Sequence, residues 1–512
     1  MGLRLHKIRH LLALVFFVAL TQGTWAQEGS SGQTPSGQTP DQSSGGAPPT
    51  ATGAGGPNLE NPPLSGLDTP RAEPVFGGRS YLLPGLQFTE TVGSNVFGGS
   101  GSAVSTVSQG LGSVDLQKIW RRNAIGLDYL GGGSYYTGHE ISGIGHVYQE
   151  HSLAVDERYL WRTGQLAIRD SFDYLPEGTF GFGAVGGGGN FSSALGGISG
   201  IGQGTGLGGG LAGGTPTGLY GGGAYGSIGY QPRIDNLSIV DITQEFSRRT
   251  SVTLGGGFGL SDYLNKSNVL FPVINSEQVT GQAGINHLLT RNDQIAVVYA
   301  YQQVRFPEAN AGRINVQVWN VMYSHRITGR LNLVLGGGPQ ITEIHRPPVF
   351  LFGIFKILIP TQTVLSGDAM ATLGYTVSTK THTLLQFQRY VTAGSGLFPG
   401  ANTNAFRASV SHVFGRRWTG SVGGGYSYNS ALSNSSPTEG INSLHYHYWF
   451  LGASLRRQLS QHFDAFASYQ FNSFGSSSCA SPSTNSSVCG REFHQHTGSI
   501  GIDWRPRPIR LD

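Results

Sequence analysis

Two pairs of histidines have the spacing from which metal binding or base catalysis is often built: His445 and His447 in "HYHYWF", and His494 and His496 in "FHQH". Residues i and i+2 of a strand share a face, so each pair offers two imidazoles side by side. A zinc centre or a Ser/His or Asp/His hydrolase needs further groups converging at one height. With Tyr446, Tyr448 and Phe450 taking the apolar side of one strand, His445 and His447 take its polar side. Ile500, Ile502 and Trp504 place His494 and His496 on the apolar side of another. The pairs do not converge, so no catalytic residue, metal ligand or cofactor is assigned. Glycine offers a second candidate. The runs "YLGGGSYY" (Tyr129–Tyr136), "VTLGGGFGL" (Val252–Leu260), "LVLGGGPQI" (Leu333–Ile341) and "GSVGGGYSY" (Gly420–Tyr428) look at first like phosphate loops, and Gly204, Gly206 and Gly209 form a GxGxxG. A phosphate loop needs a helix N-terminus behind it. Each GGG instead lies several strand residues after a tight polar turn, and the GxGxxG falls in a glycine-dense run where chance supplies it.

The elements that carry these residues are strands. The chain has 512 residues with 80 Gly, 12% charged and 11% aromatic residues and a net charge of +4. An average soluble protein has about a quarter of its residues charged. No basic tract accompanies the small positive charge, so no nucleic-acid partner is expected. In "FDAFASYQFN" (Phe463–Asn472), Phe463, Ala465, Ala467, Tyr469 and Phe471 share one face, opposite Asp464, Ser468, Gln470 and Asn472; only Phe466 breaks the alternation. "INVQVWN", "TLLQFQRY" and "TGSIGIDW" read the same way. No apolar run after the first 26 residues is long enough for a membrane helix.

Those first residues read as an export signal: Arg4, Lys7 and Arg9, then the apolar "LLALVFFVAL" (Leu11–Leu20), then Ala26 as the small residue before cleavage. Residues 27–80, with the tandem "SGQTPSGQTP" and little to bury, read as a disordered periplasmic linker rich in Pro, Gly, Ser and Thr. Residues 81–512 alternate short and long connections. Tight polar turns occur at "RRNA", "WRTG", "SRRT", "TRND", "ITGR", "STKTH", "FGRR" and "QLSQH", separated by longer stretches rich in Gly, Ser, Asn and Pro. The densest of these is 179–230. Another, "PPVFLFGIFKILIPTQ" (Pro347–Gln362), is apolar; its flanking prolines suit a hairpin packed among the neighbouring loops, and the alternatives are a constriction folded into the barrel mouth or a docking site for another subunit or outer-leaflet lipid.

Eight turns joining strands in pairs, with one strand more at each end, give about eighteen strands. In this pattern the chain resembles Gram-negative outer-membrane β-barrel proteins of the porin type. The resemblance implies an all-β fold: a transmembrane antiparallel barrel of about 18 strands (16–18), with short periplasmic turns and long extracellular loops. It places the chain in the outer membrane among its lipids, with periplasmic chaperones and the barrel-insertion machinery as assembly partners, and leaves homo-oligomer formation open. One departure stands out: such chains commonly end on an aromatic residue, whereas Trp504 is followed by "RPRPIRLD". Parity assigns Asp115, Gln117, Asp128, Arg169, Asp241, Thr243, Glu245, Asn315, Gln317, Asp368, Gln386, Gln388, Arg407, Asp464, Gln470 and Asp503 to the lumen. Such a lining suits a non-enzymatic, porin-like channel for passive diffusion of small hydrophilic solutes. The alternative is a non-conducting outer-membrane scaffold in surface adhesion or in polysaccharide or protein export.

Cys479 and Cys489, the two cysteines of the chain, sit ten apart in a Ser/Asn-rich loop. In an oxidising compartment they are expected to form a loop disulfide. A maleimide applied to the denatured, unreduced protein should label neither thiol, and labelling of both would refute the pairing.

Overall fold

The computed structural model describes residues 64–65, 80–94, 104–137, 146–175, 233–263, 275–307, 312–346, 349–351, 355–357, 360–392, 400–432, 445–476 and 492–511. The strands are β1 (Tyr81–Ser94), β2 (Val104–Ile119), β3 (Asn123–Thr137), β4 (Val147–Trp161), β5 (Gly164–Leu175), β6 (Arg233–Glu245) and β7 (Thr250–Tyr263). There follow β8 (Ser276–Leu288), β9 (Asp293–Arg305), β10 (Arg313–Thr328) and β11 (Leu331–His345). A separate small hairpin comprises β12 (Val349–Leu351) and β13 (Phe355–Ile357). The series continues with β14 (Gln362–Ser378), β15 (Thr381–Thr392), β16 (Ala401–Phe414), β17 (Trp418–Ala431), β18 (His445–Gln458), β19 (Phe463–Ser476), β20 (Glu492–Trp504) and the two-residue β21 (Ile509–Arg510). Apart from β12, β13 and β21, each strand pairs antiparallel with its neighbours in sequence, and β1 pairs with β20 from Leu86↔Trp504 to Ser94↔His496. The result is a closed wall of eighteen strands among the described residues, the number counted from the turns.

Each tight turn falls where the polar four- and five-residue stretches place it, and local chemistry explains several of them. The Ser247 hydroxyl accepts from the backbone N–H groups of Arg249 and Thr250, Thr290 from Asn292 and Asp293, and Ser460 from His462 and Phe463. A hydroxyl two or three residues before such donors holds the chain reversed before any long-range contact forms. The aromatic side chains of Trp120, Phe246, Phe414, Trp418 and Phe463 stand exposed at or beside the turns, where a barrel meets the membrane interface. In the apolar segment, the expected hairpin is present as β12 and β13, paired from Val349↔Ile357 to Leu351↔Phe355.

Polarity across the wall is inverted relative to a soluble protein. Along β1, Gln87, Thr89 and Thr91 are buried while Leu86, Phe88 and Val92 are exposed. Along β20, Gln495, Thr497, Ser499 and Asp503 are buried while Ile500 and Ile502 are exposed. At the seam the Thr91 and Ser499 hydroxyls meet inside at 2.9 Å. The tail beyond Trp504 belongs to the wall as well. Pro506 and Pro508 have no N–H to donate, so pairing lapses over 505–508 and resumes at Ile509↔Leu82 and Arg510↔Tyr81. Lys118 Nζ then donates to the Leu511 carbonyl at 2.7 Å.

All four GGG runs lie inside strands, in β3, β7, β11 and β17. At Gly132 a Cβ would fall on the Gly110 carbonyl of β2, and at Gly338 on the Trp319 carbonyl of β10. These strands pack backbone to backbone at points where no side chain fits. Gly338→Val should therefore destabilise the barrel by about 2 kcal/mol, seen as a lower temperature for loss of the heat-modifiable folded band. Gly281→Ala, with no atom within 4 Å of its new methyl, should leave that temperature unchanged.

Candidate functional site on the inner wall

Most of the residues assigned by parity do stand on the inner face. Asp241 and Thr243 on β6, Asp368 on β14, Gln386 and Gln388 on β15, and Asp503 on β20 are all buried there. Arg169 on β5 is also buried, beside exposed Ile168. Asp115 and Asp128 face each other across β2 and β3 in register, and the Tyr81 hydroxyl donates to both Asp115 oxygens at 3.3 Å. Gln117 and Glu245 keep the same alternation at their strand ends, nearer the turns. Asp464 joins the inner face of β19 with Gln470. Arg407 occupies an inner-face position of β16 opposite Gln386 and Gly425, and its side chain lies outside the described residues, as do Cys479 and Cys489.

Gln317 and Asn315 are corrections. They share their face of β10 with Trp319, Val321 and Tyr323, which are exposed on the outside, whereas Ile314, Val316, Val318, Asn320 and Met322 turn inward and are buried. β10 carries apolar residues on both faces, so placing the apolar set outside does not fix its parity. Asn315 bonds instead with Gln303 on the outer side of β9, at 3.1 Å. β18 inverts for the same reason. Tyr446, Tyr448 and Phe450 are buried on the inner side, where Tyr446 packs on Phe474 and the Tyr448 hydroxyl donates to Asn472 Oδ1 at 2.9 Å. His445 and His447 therefore share the outer face of β18 with exposed Trp449 and Leu451. His494 and His496 also face outward, in ring contact with Phe471.

Four of the inner carboxylates are paired by arginines, of which parity assigned Arg169 and missed Arg456, Arg505 and Arg158. Arg456 Nη2 reaches Asp464 at 2.6 Å and Asp503 at 3.1 Å, and Arg505 reaches Asp503 at 3.9 Å. Across the lumen wall, Arg169 lies 3.4 Å from Asp156 and 3.1 Å from Asp241, while Arg158 lies 3.0 Å from Asp156. Arg505 follows β20 and lies outside the wall strands; burial and the nearby Arg456 lower its guanidinium pKa, opposed by Asp503, Asp464 and Asp128. An arginine stays cationic under such shifts. Asp156, Asp241, Asp464 and Asp503 are thus matched by cations. Asp368 accepts from Asn320 Nδ2 at 2.7 Å, and amide chains such as Gln470 to Asn472 and Asn472 to Gln495 fill the surface between. Strands that alternate cleanly, such as β1 and β20, place their polar set inward because the sheet is closed and its outer side is apolar.

A closed, even-stranded antiparallel wall with an apolar outside, interfacial aromatics and a polar, charge-paired inside is a transmembrane β-barrel. No family model matches the chain, and no curated protein sequence matches it. Solved structures similar to it include OccAB1 of Acinetobacter baumannii, 10% identical, covering 87% of this chain and 100% of that one, with a TM-score of 0.40. The outer membrane protein OpdK of Pseudomonas aeruginosa is 10% identical, with 83% and 99% covered and a TM-score of 0.38. The ferric-catecholate import receptor Fiu of E. coli K12, in its open form, is 9% identical, with 82% and 81% covered and a TM-score of 0.38. At these values the class rests on the geometry of the wall itself.

Removing Arg456 leaves buried Asp503 and its neighbour Asp464 short of a cation, and breaking a buried pair costs about 3 kcal/mol. Arg456→Ala should lower the urea midpoint of the barrel in liposomes, followed by tryptophan fluorescence. Adding Asp503→Asn should recover most of the loss.

Proposed function

We propose that the protein is a passive channel of a Gram-negative outer membrane for small hydrophilic solutes. The observation that carries this reading is the inverted wall: eighteen strands closed by β1 on β20, with amides, hydroxyls and paired charges inside. Barrels of about 16–18 strands enclose a space wide enough for water. Because Arg456, Arg505, Arg158 and Arg169 offset Asp464, Asp503, Asp156 and Asp241, the path favours neither ion sign strongly. Neutral polar solutes or zwitterions suit it better than a strongly charged species. Lipid contacts the outer face, and no catalytic step is needed.

A second reading, a non-conducting scaffold, has one specific observation behind it. Val304, Phe306, Ile314, Val316, Val318 and Val391 form a buried apolar cluster at the loop end of β9, β10 and β15, with Leu432 against it. A wall wetted throughout would not bury such a set. Planar bilayers separate the two: the purified, folded barrel should give discrete ohmic steps with little cation or anion preference in a salt gradient. Silence from protein that retains its heat-modifiable band would favour the scaffold.

A further inference from the structure

Leu64 and Ser65 precede β1 by about fifteen residues in sequence, yet they lie against the inner wall of β8 to β11 and β14. Three hydrogen bonds hold Ser65. Its backbone N–H donates to Asn286 Oδ1 at 2.9 Å, its carbonyl accepts from Gln282 Nε2 at 2.6 Å, and its hydroxyl accepts from Asn286 Nδ2. Gln282 and Asn286 are inward-facing positions of β8, and Gly284 stands between them. A Cβ at Gly284 would strike the Ser65 side chain. The inner face of β8 thus reads donor, gap, donor and acceptor over five residues, and one seryl unit fills the gap with its backbone and side-chain groups satisfied. Ser65 is 0% exposed.

The neighbouring wall is built for Leu64. Ala296, Val298 and Met322 form a buried apolar cluster, and Leu64, Val334 and Met370 pack on it. Of the three methionines in the chain, Met1 opens the sequence and the other two, Met322 and Met370, both meet at this patch. An adaptable thioether is suited to seating a side chain that arrives from elsewhere in the sequence. Inside a wet lumen, an uncovered patch of this kind would cost about 25 cal/mol for each Å² left in water. Leu64 is the described residue outside the wall that packs on it.

We propose that this stretch of inner wall is a docking site for the chain's own N-terminal segment, with Leu64 as apolar anchor and Ser65 as hydrogen-bonded latch, and that the docked residues narrow the path. The narrowing rests on the channel reading; the docking does not. The test uses the full-length protein with Ser65→Cys and Asn286→Cys, mildly oxidised in liposomes, the linked peptides being identified by mass spectrometry. Peptide identification keeps this pair distinct from Cys479 and Cys489. A 65–286 link is expected, and none for Ser65→Cys with Ala283→Cys, because Ala283 has the opposite parity on the outer face of β8. Absence of the first link, or equal linking of both pairs, overturns the docking. Leu64→Asp and Gly284→Leu should each release the segment and raise the unitary conductance while the folded band persists. Parental conductance in both variants overturns the narrowing. A 65–286 link in a protein that conducts in no form removes the channel reading and leaves the docking established.

Discussion

A bilayer core offers no water to backbone amides, so every N–H and C=O of a strand that crosses it needs a partner in the chain. In this protein that requirement is met by β1 closing on β20, and the remaining features follow from the closure. A closed sheet has one convex and one concave face, and strand alternation then assigns every second residue to each. The tail shows how far the requirement reaches. After two prolines interrupt the ladder, Ile509 and Arg510 return to pair with Leu82 and Tyr81, extending the cover of β1 where β20 has ended. The glycine runs serve the same closure, since at Gly132 and Gly338 neighbouring backbones approach too closely for any side chain.

Closure also sets the electrostatics. Carboxylates turned inward lose part of their hydration, and an unpaired charge in such a place is costly. Arg456 therefore spans two strands to serve Asp464 and Asp503, and Arg169 does the same for Asp156 and Asp241. These pairs brace adjacent strands across the wall. They also offset the charge of those four carboxylates, while Asp115, Asp128 and Asp368 rely on hydroxyl, amide or neighbouring-strand surroundings.

Local information made much of this legible in sequence. The eight turns declare themselves because a Ser or Thr hydroxyl, or a short polar pair, reverses the chain within four residues, and their number fixes the strand count. Parity is legible on β1, β19 and β20, where one face is plainly apolar. The hairpin of β12 and β13 is legible from the prolines on either side. The pairings of Arg456 with Asp464 and Asp503, and of Arg169 with Asp156 and Asp241, were hidden because they run between strands and depend on register.

The failures of parity have a single physical form. Gln317 and the histidines of β18 were assigned to the wrong face because β10 and β18 are apolar on both sides, and alternation cannot choose between two apolar faces. β9 has the same character: Val297 is exposed outside while Ala296 and Val298 are buried inside. In a barrel one apolar face is explained by lipid. A second apolar face needs a second covering, and nothing in the strand's own residues names it. On β9 and β10 part of that covering is Leu64, more than two hundred residues away in the chain. On β18 the inward Tyr446 packs sideways on Phe474 of the next strand. On β9 and β10 a second apolar face thus marks a place where the lumen holds a residue from outside the wall, and the identity of that residue is a tertiary fact that periodicity alone does not carry.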